Sequence, residues 1–137
     1  RRTIHVLLML SLIISMDALF EPAEKLYRAV YPNSMFWKSN GKVSSAAFLS
    51  RHGGCSVDRG DYRDDDIVVR DMQSRNFKGS IIAVTVQDCW DTLAMPLYAP
   101  SRTNIYHSEI HGNIEREQLT AGQRKHLANS AVIVSIE

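Results

Sequence analysis

Ser80-Ile81-Ile82-Ala83-Val84-Thr85-Val86 is the stretch on which the reading of the fold turns. It is rich in β-branched residues and continuous rather than alternating, as expected when both faces are covered, so it predicts a central strand. A second run of the same kind, Ala131-Val132-Ile133-Val134-Ser135-Ile136, closes the chain and needs a place in the same sheet. Between them, Met95-Pro96-Leu97-Tyr98-Ala99-Pro100 carries two prolines and is expected at an edge or in an extended connection. Tyr106 to Ile110 is short and alternating, a further strand.

Working outward, Asp61 to Asp66 supplies acids where a helix N-terminus favours them, and Ile67, Val68, Met72 and Phe77 give that helix an apolar side ending near Asn76 to Gly79. Thr120-Ala121-Gly122-Gln123 has the form of a capping box, which predicts a helix from Ala121 to about Asn129. Gln87 to Leu93 is expected as one helical turn, with Trp90 and Leu93 reaching back to the core. Leu19, Ala23, Leu26 and Val30 fall near helical spacing and predict an amphipathic helix over 17–30, capped by Asp17. Asn33 to Lys42 reads as a loop with aromatic anchors. Val43 to Leu49 and Cys55 to Asp58 read as two short strands joined by the Arg51-His52-Gly53-Gly54 turn, in the manner of a hairpin. Few clean βαβ repeats occur in this order. The expectation is an α+β single domain with a small mixed β-sheet packed by about three helices.

A chain of 137 residues with 45% hydrophobic content suits one compact domain. Sixteen Lys and Arg balance fifteen Asp and Glu, so nucleic acid is not favoured as a partner. Residues 1–15 have the basic-then-apolar order of a signal peptide, but no small-x-small cleavage pattern follows, and the apolar run is too short for a transmembrane segment. A buried N-terminal helix or strand, and a start at Met16 with 1–15 as a non-native extension, are both preferred to the signal-like reading of 1–15, and one domain is expected over 16–137. Cys55 and Cys89 make no disulfide framework and fit reduced thiols in a cytoplasmic protein.

Two polar constellations carry the candidate chemistry. If Tyr106 to His111 is extended, His107, Glu109 and His111 project from one face, and Tyr106, Ser108 and Ile110 from the other. The spacing is not that of zinc proteases, and the row is read as a surface for a polar ligand rather than a metal site. Arg51, Asp58 and Arg59 form the second cluster, with His52, Asp61 and Arg63 beside them. Gly53-Gly54 is too short a glycine signal for a phosphate loop. Cys89 would need a His base to act as a nucleophile and is read as a buried small hydrophobe.

Ser44-Ser45-Ala46-Ala47-Phe48, Cys55-Ser56-Val57-Asp58-Arg59, Asn104-Ile105-Tyr106-His107-Ser108-Glu109-Ile110-His111 and the closing Leu127-Ala128-Asn129-Ser130-Ala131-Val132-Ile133-Val134 resemble a group of small uncharacterised bacterial proteins sharing Ser-Ser-Ala-x-Phe, Gly-x-Ser-Val-Asp-Arg and Asn-x-x-His-x-Glu-Ile in that order. The resemblance covers about Lys42 to Val134 and implies a cytoplasmic bacterial protein, without an activity to transfer. Cys55 stands where an aliphatic residue is expected, which argues that it fills a core position. The functional expectation is a small binding or accessory module for a polar ligand or protein partner, with no particular cofactor implied. Arg51, Arg59 and His111 are its binding residues, and His107, Glu109 and Asp58 its reactive groups. The alternative is a His-based or metal-assisted hydrolase, acting on phosphodiesters, with His107 as general base and Glu109 or Asp58 as its partner.

Overall fold

The computed structural model describes residues 19–51 and 53–137, so the readings of residues 1–15, of Asp17 and of His52 lie outside it. Six strands run as β1 Lys25–Val30, β2 Cys55–Arg59, β3 Ser80–Thr85, β4 Met95–Tyr98, β5 His107–His111 and β6 Val132–Ser135. Three α-helices join them, α1 Asp65–Ser74, α2 Val86–Trp90 and α3 Ala121–Ser130, with a 3₁₀ helix at Ser45–Phe48. The strands form one sheet in the order β4-β5-β2-β1-β3-β6. The α+β class stands; the sheet is antiparallel at each of its five pairings rather than mixed.

The 80–85 run is interior, paired along its whole length with β1 and on its other side with β6. Its continuous apolarity follows from having two cores to fill. Ile82 and Val84 join Leu26, Phe48, Val57 and Leu127 on one face, while Ile81 and Ala83 join Tyr27, Val68 and Met72 on the other. The 3₁₀ helix, α2 and α3 pack over the first face. On the second, α1 lies over β1, β3 and β6 through Val68 and Met72. Thr85 with Asp88, and Thr120 with Gln123, make reciprocal capping boxes at the starts of α2 and α3, the latter as its sequence predicts.

Two elements differ from expectation. Residues 25–30 are a strand, not the end of a helix. Leu26 and Val30 are four apart, a spacing that is even and therefore shares one face in a strand as well as in a helix. Tyr27 decides the matter by burying itself on the opposite face. Residues 45–48 form a 3₁₀ helix instead of a strand, closed by Ala47 N–H to Ser44 O and Leu49 N–H to Ala46 O, each at 3.1 Å. Ala46 and Ala47 are weak strand formers, and the Ala47 and Leu49 carbonyls accept from Arg28 at 2.7 and 3.2 Å. β2 consequently pairs with β1 and β5, and the expected hairpin is absent. Trp90 and Leu93 are exposed; Cys89 and Ala94 fill the core there. Among the described residues no helix is long and apolar enough to cross a membrane.

Candidate functional site

β2 and β5 bring the two polar constellations together by register. Ser56 faces Glu109 and Asp58 faces His107, while Val57 faces Ser108 and Cys55 faces Ile110 on the other side. Arg59 N–H donates to Tyr106 O at 2.9 Å, so the hydrogen-bonded pairs are Arg59 with Tyr106 and, two residues on, Val57 with Ser108. Ser56 with Glu109 and Asp58 with His107 are then the non-hydrogen-bonded pairs, whose Cα atoms approach more closely across the ladder. Cys55 and Val57 are drawn into the core, which turns Ser56 and Asp58 to the face that carries His107, Glu109 and His111.

His107 is held at both ring nitrogens. Nδ1 lies 2.8 Å from the Ala99 carbonyl and Nε2 lies 3.3 Å from Ser56 Oγ. A carbonyl only accepts, so Nδ1 carries the proton and Nε2 presents a lone pair to the Ser56 hydroxyl. Ser56 is exposed, and its backbone carbonyl is fastened from β1 by Arg28 Nη1 at 2.6 Å. Glu109 does not orient His107. Its Oε1 is 2.9 Å from Nε2 of the buried His111, whose Nδ1 has no hydrogen-bond partner among the described residues. The Gly53-Gly54 turn roofs this pair. A Cβ on Gly54 would come within 2.6 Å of Glu109 Cβ and 2.7 Å of His111 Nε2, so only glycine fits.

Asp58 shares the face yet is sealed. It is bonded by Arg75, which follows α1, and by Asn104 Nδ2 at 3.0 Å, and so ties α1 and the loop before β5 to β2. Burial works against the Arg75 charge, but its bonds to Asp71 and Asp58 leave its pKa raised. Arg59 faces the other way. Its Nε and Nη2 grip both carboxylate oxygens of Glu24 at 2.8 and 2.9 Å, and its guanidinium stacks over Phe20 and Tyr98. Burial disfavours the Arg59 charge, and the Glu24 bond more than offsets it, so its pKa is raised. Arg51 is exposed at a separate groove of about 510 Å³ with Arg28, Met35 and Phe36. The six candidates are therefore divided. His107, Glu109 and His111 share one row, open at His107 and Glu109 and buried at His111; Asp58 is locked beside it, Arg59 lies in the scaffold of the opposite face, and Arg51 belongs to another surface.

Ser56 is the functional candidate that the sequence reading passed over. Its position two residues before Asp58 places it on the same face, but a serine in a strand carries no signal until its partner is known. A cleft of about 590 Å³ lies elsewhere, between β1 and the start of α1 with Tyr62, Asp64 and Asp66 on its wall. Its central acid, Asp65, is already engaged by Tyr27 Oη at 2.5 Å and Lys25 Nζ at 3.1 Å. Cys55 and Cys89 are buried in the core, where burial raises both thiol pKa values. Among the described residues no group of three or more His, Cys, Asp or Glu is arranged to hold a metal. Comparison with protein-family models, curated proteins and solved structures finds no match.

Proposed function

We propose that this chain is a small binding or accessory module whose ligand sits on the open part of the α1-bearing sheet face, against Ser56, His107 and Glu109. One observation carries the reading: α1 covers β1, β3 and β6 on that face, whereas Ser56 on β2 is exposed and Glu109 on β5 keeps 31% of its side chain in solvent. Hydroxyl, imidazole and carboxylate stand side by side there on paired strands, a rigid mount for recognising a polar group. Register places Leu97 opposite Glu109 and Met95 opposite His111, adding apolar surface to the same face. The resemblance named from the sequence supports a bacterial, cytoplasmic setting for this module.

Amide-resolved NMR of the full chain tests the reading by titration with N-acetylglycinamide, acetate, inorganic phosphate and methylammonium. Shifts grouped at 55–58, 97 and 107–111 for at least one probe are expected. Shifts confined to the acidic cleft or to the Arg51 groove would overturn it.

A second reading, a His-based hydrolase, is favoured by the single approach of His107 Nε2 to Ser56 Oγ. Asp58 and Glu109, the partners first considered for His107, are bonded to Arg75 and to His111.

A further inference from the structure

We infer that Ser56 is a nucleophile and His107 its general base, and that the site takes a neutral carboxylic ester with an apolar acyl group. The inference rests on the hydrolase reading and names its attacking atom and substrate class. Three features converge on it. The Ala99 carbonyl fixes the His107 tautomer with Nε2 unprotonated, which is the form a base requires. Ser56 Oγ is the group that Nε2 faces, at 3.3 Å, a loose hydrogen bond of the length such pairs show before substrate arrives. Ser56 is also exposed, so an electrophile reaches its oxygen without displacing protein.

The substrate class follows from the neighbours. Glu109 stands directly across from Ser56, and its carboxylate repels an anionic phosphodiester at the point of attack while tolerating a neutral ester. Leu97, opposite Glu109, and the exposed Met95, opposite His111, offer a shelf on which an acyl chain lies. In the reaction, Ser56 Oγ forms a bond to the carbonyl carbon as its proton passes to His107 Nε2. The Ala99 carbonyl steadies the imidazolium through Nδ1–H. His107 then returns the proton to the departing alkoxide as the carbon–oxygen bond breaks, leaving an acyl-Ser56 ester. Water repeats the sequence, releasing the carboxylic acid and restoring the hydroxyl.

The test uses the full chain with diisopropyl fluorophosphate, a neutral electrophile, followed by intact mass and peptide mapping, and with p-nitrophenyl butyrate for turnover. Expected are one adduct at Ser56, none in Ser56→Ala, and labelling at least about 100-fold slower in His107→Gln. Thermal melts confirm that both variants remain folded. Folded native protein that takes no label, or a His107→Gln variant that labels at the native rate, overturns the inference. If N-acetylglycinamide still shifts the Ser56 and His107 amides in a protein that resists labelling, the binding face survives and the nucleophile falls. If both signals are missing, both fall.

Discussion

Replacing Arg59 by Leu should destabilise the domain by about 3–5 kcal/mol, because it strands a carboxylate that folding has removed from water. Arg59 and Glu24 side chains keep only 6% and 8% of their surfaces exposed. The guanidinium supplies two bonds to Glu24 and one to the Leu19 carbonyl at 2.9 Å. After its loss, Glu24 retains one strong donor from this network, the Asp61 N–H at 3.0 Å. A loss of this size is a large share of a small domain's total stability of about 5–15 kcal/mol. Urea unfolding followed by the fluorescence of Trp37 and Trp90 measures it, and the midpoint should fall without a change in slope. Pairing Arg59→Leu with Glu24→Leu should recover a substantial part of the loss, since the remaining buried charge is then gone. Arg59→Lys should rescue less, because a point charge cannot reproduce the two-pronged grip. A single Arg59→Leu costing under about 1 kcal/mol, or a double variant no better than the single, would refute the assignment of Arg59 to the scaffold and return it to the ligand-binding residues.

Gly54→Ala should cost about 1–3 kcal/mol by overpacking and should shift the His111 ring resonances, since the new methyl collides with the Glu109–His111 pair; an unperturbed His111 in a fully stable variant would contradict the roof. Tyr27→Phe removes the hydrogen bond that does most to hold the Asp65 carboxyl below its ordinary 3.8, with Lys25 assisting and burial opposing. A depressed carboxylate contributes stability that is present above its unfolded pKa and lost as pH falls through the folded one, so a deficit of about 1 kcal/mol at pH 7 should close on acidification; urea midpoints at pH 7 and at a pH below the folded pKa check it. Burial raises the Cys55 and Cys89 thiols, for Cys89 with help from Asp88, so iodoacetamide should modify neither faster than the protein unfolds. Asp58→Ala leaves Arg75 with Asp71 as its remaining acid and should cost about 3 kcal/mol in urea without altering fluorophosphate labelling of Ser56, a separation that a reactive Asp58 would not allow.

The elements legible in the sequence are those with one dominant signal. Continuous β-branching marked residues 80–85, a complete Thr-x-x-Gln box marked α3, and prolines kept 95–98 at an edge. Where a pattern admits two periods, the choice falls to tertiary partners. Leu26 and Val30 satisfy a helix and a strand equally, and the burial of Tyr27 on the opposite face together with the six-residue ladder with β3 selects the strand. The Ala46-Ala47 pair offers weak local preference, and Arg28, donating to the carbonyls of Ala47 and Leu49, favours the tighter turn.

The candidate site follows the same logic. Alternation alone put His107, Glu109 and His111 on one row, and the cross-strand register kept them there. Charge density singled out Asp58 and Arg59, and charge density is also what a buried ion pair requires, so the signal could not separate a ligand contact from a structural bond. Ser56 shows the reverse. Uncharged and unremarkable in sequence, it gains an imidazole neighbour from the strand beside it, and the Ala99 carbonyl, just after β4, turns the lone pair of His107 toward its hydroxyl. The approach of Ser56 to His107 is a property of the β2–β5 register: a slip of one residue would turn Ser56 into the core and point Val57 at the imidazole.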